Sequence, residues 1–69
     1  MKLSVRNQLA GTVTDVTTGE AMTVVKVRLA GGEPFTAAIT RDAADDLGLQ
    51  VGMPVTVLVK STEVMLATE

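Results

Sequence analysis

Apolar and polar residues alternate along most of this chain, and the period changes once. Residues 9–17 are rich in Val and Thr and read as a first β-strand. Their alternation slips between Val13 and Val16, which predicts a bulge or sharp bend near Thr14 and Asp15. Thr17-Thr18-Gly19-Glu20 reads as a turn in which Gly19 can supply a positive φ. Residues 21–29 form the clearest strand, with Val25, Val27 and Leu29 on one face and Lys26 and Arg28 on the other. After the turn Gly31-Gly32-Glu33-Pro34, a third strand sets Phe35, Ala37 and Ile39 against Thr36, Ala38 and Thr40. At Thr40 the period lengthens. Thr40 is a good N-cap, Asp42 lies in the first turn, Ala43, Ala44 and Leu47 make a short apolar stripe, and Gly48 suits the C-terminal cap. This predicts a two-turn helix. Leu49 and Val51 lead to a turn at Gly52-Met53-Pro54. Val55, Val57 and Val59 then define a fourth strand, and residues 63–68 a fifth.

The expected fold is mainly β: a five-stranded OB-like Greek-key barrel with one short helix between strands three and four. Leu58 lies on the outer face of strand four, and Val64-Met65-Leu66-Ala67 is apolar on both faces. A strand with two apolar faces is covered on both. One face fits a barrel core; a second subunit best explains the other.

Size sharpens that expectation. Sixty-nine residues make one domain, residues 1–69, with a thin core that usually needs a staple. With no Cys there is no disulfide or thiolate metal site, and with no His the commonest general base and metal ligand is missing. Phe35 is the only aromatic residue, yet 46% of the chain is apolar. Self-association is the remaining staple, so a homo-oligomer is expected.

The net charge of −2 gives no general attraction for nucleic acid or an anionic membrane. No apolar run approaches the roughly 20 residues of a membrane span. The opening Met1-Lys2-Leu3-Ser4 lacks the apolar stretch of a signal peptide, so a cytoplasmic location is expected. No partner domain lies between Met1 and Glu69, and a free-standing binder is the simpler expectation.

Two short segments carry the candidate chemistry. Ser4-Val5-Arg6-Asn7-Gln8 and Lys60-Ser61-Thr62 hold hydroxyl donors at Ser4, Ser61 and Thr62 and charge-assisted donors at Arg6 and Lys60. The first fourteen residues contain no Asp or Glu to compete for them. A tetrahedral dianion offers acceptors and needs no donor, so its ideal pocket is built of donors alone. Backbone N–H groups near Val5 and Ser61 add to the set, because ladder bonding stops at strand ends. The plainer alternative is that solvated charges and strand-ending hydroxyls simply occur together.

The opening Met1-Lys2-Leu3-Ser4-Val5-Arg6-Asn7-Gln8-Leu9-Ala10-Gly11-Thr12-Val13 resembles that of the molybdenum-pterin-binding proteins, the molbindins, with their Mop-like, TOBE-type domain. The tail Val59-Lys60-Ser61-Thr62-Glu63-Val64-Met65-Leu66-Ala67 resembles the end of the same family, and the middle, from Ile39-Thr40-Arg41 to Gly52, is similar as well. The resemblance implies a five-stranded barrel assembled as a homohexamer, a trimer of dimers. It implies molybdate or tungstate bound at subunit interfaces for storage or homeostasis of the oxyanion. Carried over residue by residue, it implies oxyanion contacts from Ser4, Val5 through its backbone, Arg6, Lys60 and Ser61. A second site near a three-fold axis would use the first hairpin: Gly19, Glu20, Ala21 and Met22. Val5 stands where the family usually has Ala.

A donor-only pocket should reject phosphate, which near neutral pH keeps a proton in need of an acceptor. Sulfate has no such proton, so its rejection must rest on size. Other functions find less in the sequence. Asp42, Asp45 and Asp46 are the only carboxylate cluster, and acids at a helix start commonly complement the helix dipole. With no His, Cys or nucleophile motif, an enzyme is not expected, nor a direct cation site. The stretch Ile39-Thr40-Arg41 to Val55 is similar to that of swapped-hairpin DNA-binding transition regulators, but Arg41 faces three Asp residues and no stacking aromatics are available. Similar barrels also occur as regulatory modules of transporter ATPases and repressors, the main alternative reading. A pterin would want aromatic or extended apolar contacts that this chain scarcely has.

Overall fold

A computed structural model describes residues 2–69; Met1, which opens the N-terminal motif, lies outside the described residues. The element order is β1 (Asn7–Thr18), β2 (Met22–Leu29), β3 (Pro34–Thr40), α1 (Arg41–Leu47) and β4 (Pro54–Val59), followed by a 3₁₀ turn (Ser61–Glu63). The strands make one antiparallel sheet in the order β3-β2-β1-β4.

The long β1 organises the sheet. Its second half pairs with β2 and its first half with β4, from Asn7↔Val59 to Thr12↔Pro54. The register shifts between Val13 and Asp15, where the slipped alternation places a bulge. At that bend Val13 exchanges hydrogen bonds with the loop ahead of β4, its N–H donating to Met53 O (3.0 Å) and its carbonyl accepting from Gly52 N–H (2.8 Å). The bulge thus turns one strand toward two neighbours.

Val13, Val25 and Val27 form the buried centre. Phe35 and Ile39 from β3 pack against it, as do Val55 and Val57 from β4. The two edge strands reach one core only because the sheet curls. Gly11 sits where β1 and β2 approach closely: a Cβ there would come within 2.5 Å of Val27 Cγ1 and 2.9 Å of the Arg28 carbonyl oxygen. Thr23 is fully buried, and its hydroxyl meets no hydrogen-bond partner among the described residues.

The helix is capped as its sequence predicts. Thr40 Oγ1 accepts from Ala43 N–H at 3.1 Å, and Gly48 closes the helix in the left-handed conformation (φ 63°). Ala44 is its buried contact, whereas Leu47, expected in the apolar stripe, is 63% exposed. Thr40→Ala is expected to cost about 1 kcal/mol, read as a lower chemical-denaturation midpoint with unchanged m-value.

Two expectations need correction. The sheet has four strands, and residues 63–68 form no fifth. A strand persists by exchanging N–H and C=O bonds with a neighbour, and the tail makes no ladder with the four strands of its own sheet. Val64 is extended (φ −83°, ψ 132°), and Met65 and Leu66 are 91% and 94% exposed. In the single chain the four strands make one curled antiparallel sheet. Gly19, finally, does not adopt positive φ; it is needed for space, since a Cβ would lie 2.7 Å from the Met22 carbonyl oxygen.

Candidate functional site

The pairing of β1 with β4 brings the two chemical segments together. Asn7 opposes Val59, so the residues just before β1 and just after β4 meet at one end of the sheet. There Ser4, Val5, Arg6, Leu58, Lys60, Ser61 and Thr62 line an open cleft of 510 Å³. All five residues of the expected oxyanion site border it, although they come from opposite ends of the sequence.

Side-chain amides fix the cleft wall. Asn7 Nδ2 donates to the Val59 carbonyl (3.1 Å) and to Ser61 Oγ (3.3 Å). Gln8 Nε2 donates to the Val5 carbonyl at 2.8 Å, which occupies an acceptor that would otherwise repel an anion. The 3₁₀ turn is short and polar at its start, and it presents the Ser61 and Thr62 hydroxyls beside the Lys60 side chain. Ser4, Arg6, Lys60, Ser61 and Thr62 are exposed and Val5 is half-buried.

The cleft can therefore supply two cations, three hydroxyls and little competing carboxylate from its own walls. Leu58 gives it an apolar side. A single chain covers only part of it. Charge-assisted bonds in such an open cleft are weakened by water, and they gain strength when a second surface excludes that water.

The other expected groups lie elsewhere. Gly19, Glu20, Ala21 and Met22 form the turn between β1 and β2, at the opposite end of β1 from the cleft. Gly19 N–H donates to Met22 O (2.8 Å), and Ala21 O accepts from Arg41 N–H (2.9 Å), which ties this turn to the start of the helix. Asp42, Asp45 and Asp46 are exposed on the helix, and no cluster of metal-ligating side chains exists among the described residues. No helix among them is long and apolar enough to cross a membrane. Asn7 and Gln8, though inside the opening motif, were not expected to shape the site. Their signal was available only as two amide side chains placed directly after Arg6.

Comparison with known proteins gives these features a family. The TOBE domain matches residues 3–66. The chain is 41% identical over 66 residues to molybdenum-pterin-binding protein 3 of Clostridium pasteurianum, covering 96% of this chain and 97% of that one. It superposes on a molybdate-binding protein from Sporomusa ovata with a TM-score of 0.93 at 40% identity, over 99% of this chain and 100% of that one. It also matches the cytoplasmic molybdate-binding protein ModG, solved with molybdate bound, with a TM-score of 0.84 at 32% identity, over 96% of this chain but 53% of ModG. It spans about a quarter of the ModE molybdenum transport proteins it matches. With a match to nearly its whole length, a shared curled sheet and full-length relatives of its own size, the chain belongs to the Mop-like, molybdenum-pterin-binding branch of the TOBE domain family.

Proposed function

We propose that this protein binds molybdate or tungstate, and that the cleft between Ser4–Arg6 and Lys60–Ser61 is where it does so. The observation that carries the reading is the convergence of Ser4, Arg6, Lys60 and Ser61, from both ends of the chain, on one cleft that no carboxylate lines. Arg6 and Lys60 neutralise the dianion. Ser4, Ser61 and the Val5 N–H orient it. The relatives named for molybdate or molybdenum-pterin binding support the choice of ligand.

The working form is a homo-oligomer, a hexamer arranged as a trimer of dimers, with the cleft closed by a neighbouring subunit. The exposed apolar residues of the tail support this reading. Val64, Met65 and Leu66 present apolar surface that a single chain leaves in water, and β3 and β4 are the unpaired edges of the sheet. Pairing of this tail with another subunit completes a five-stranded OB-like barrel and buries both faces of the fifth strand. A subunit of net charge −2 then binds a dianion because donors from more than one chain meet in a dry pocket. The turn at Gly19, Glu20, Ala21 and Met22 is the candidate for a second class of site between subunits. The role is storage or homeostasis of the oxyanion in the cytoplasm, without catalysis.

The test is isothermal titration with molybdate and tungstate, with sulfate and phosphate as controls. Saturable heat with the first two and none with phosphate is the expected result. Binding should also raise the melting temperature of the oligomer, because a ligand that binds only the assembled form stabilises it. No heat with either metal oxyanion would overturn the reading.

A further inference from the structure

We propose that Asn7 is a positioning residue for the oxyanion cleft, one that orients the Ser61 hydroxyl so that its proton points to the anion. The inference rests on the oxyanion reading above and adds a residue that does not itself touch the ligand.

The argument follows from counting donors and acceptors. The Asn7 amide nitrogen carries two hydrogens and accepts nothing. Two acceptors face it: the Val59 carbonyl at 3.1 Å and Ser61 Oγ at 3.3 Å, the latter at the long end of the hydrogen-bond range. One hydrogen goes to each. The Val59 bond is structural, since Asn7 and Val59 are already strand partners. The Ser61 bond has a different consequence. A serine hydroxyl can donate in one direction and accept in two. When Asn7 donates to its oxygen, the Ser61 proton is excluded from that direction and is turned to the remaining sides, where the cleft lies. An oxyanion needs that proton. Without Asn7 the hydroxyl rotates freely and loses part of its alignment before the anion arrives.

The chemistry also predicts how an altered Asn7 should behave. A carboxylate at this position has the same shape as the amide but only accepts. It would take the Ser61 proton for itself and turn the oxygen lone pairs toward the anion. Asn7→Asp should therefore be worse than Asn7→Ala, both through this reversal and through its charge.

The experiment is titration of molybdate into the protein and its Asn7→Ala, Asn7→Asp, Ser61→Ala, Asn7→Ala/Ser61→Ala and Asn7→Asp/Ser61→Ala variants, each checked for folding by circular dichroism. Asn7→Ala should weaken binding about three- to tenfold when Ser61 is present, and change it less than about twofold when Ser61 is alanine. Melting without anion should fall in both backgrounds, because the Val59 bond is lost in both. An equal loss of affinity in the two backgrounds would show that Asn7 acts through strand pairing alone and would overturn the proposal, as would full affinity in Asn7→Ala. If Asn7→Ala does not fold, the isosteric Asn7→Asp pair gives the same reading: its penalty should shrink at least about threefold in the Ser61→Ala background, and an unchanged penalty overturns the proposal. A wild-type protein that takes up no molybdate would overturn the oxyanion reading and this inference together. Wild-type binding with no coupling between Asn7 and Ser61 would overturn only the inference.

Discussion

Replacing Arg6 by alanine is expected to weaken molybdate binding at least tenfold while leaving the fold intact. Arg6 lies just ahead of β1, exposed in the single chain, and its side chain borders the cleft without serving the core of Val13, Val25 and Val27. What it offers is a charge-assisted fork of donors suited to two oxygens of a tetrahedral anion. A hydrogen bond to a charged group is worth about 1.5–3 kcal/mol, which corresponds to roughly ten- to hundredfold in affinity. Arg6→Lys should recover part of the loss, because the charge returns without the fork. The measurement is the dissociation constant by titration, with the melting temperature of the anion-free protein as control. Unaltered affinity in Arg6→Ala would place the anion elsewhere on the molecule.

The second large effect is expected at the other end of the chain. Met65→Asp with Leu66→Asp should reduce the assembly to single chains, seen by light scattering as a fall to the mass of one subunit. Both side chains are more than nine-tenths exposed in the isolated chain, so the substitutions remove nothing that holds its own sheet together. In an oligomer that buries them, each contributes about 1.5–3 kcal/mol, and a buried aspartate in its place adds a desolvation penalty. If a neighbouring subunit closes the cleft as proposed, the same variant should lose molybdate binding in parallel. An oligomer of unchanged mass would mean that the tail is not part of the interface.

The sequence carried the strands well wherever burial within one chain decides the pattern. Val25-Lys26-Val27-Arg28 alternates because β2 lies in the middle of the sheet, with one face on the core and one in water. The bulge after Val13, the Thr40 cap and the Gly48 cap were legible for a similar reason: each is a local geometric demand met by a particular residue type. Val64-Met65-Leu66-Ala67 misled because an apolar, strand-forming composition does not by itself supply a strand neighbour to bond with. Leu47 misled in the same way, apolar by sequence yet outward-facing on a helix only seven residues long. Gly19 was read as a conformational glycine, but what it satisfies is close approach to a carbonyl, and spacing along the chain does not reveal that. For the candidate site, residue types identified Ser4, Arg6, Lys60, Ser61 and Thr62 as a donor set. The role of Asn7 was not legible, because it depends on a register that sets Asn7 opposite Val59.

That register also orders the energetics of folding. The β1–β2 and β2–β3 hairpins join neighbours in sequence, whereas Asn7 meets Val59 across 52 residues. Closing so long a loop is entropically unfavourable until the intervening hairpins and helix have formed and shortened the gap. The ladder between β1 and β4 is thus the natural last step of folding and the first to open. Because the cleft spans that ladder, an anion held by both walls, as proposed, would clasp the seam that closes the longest loop of the fold.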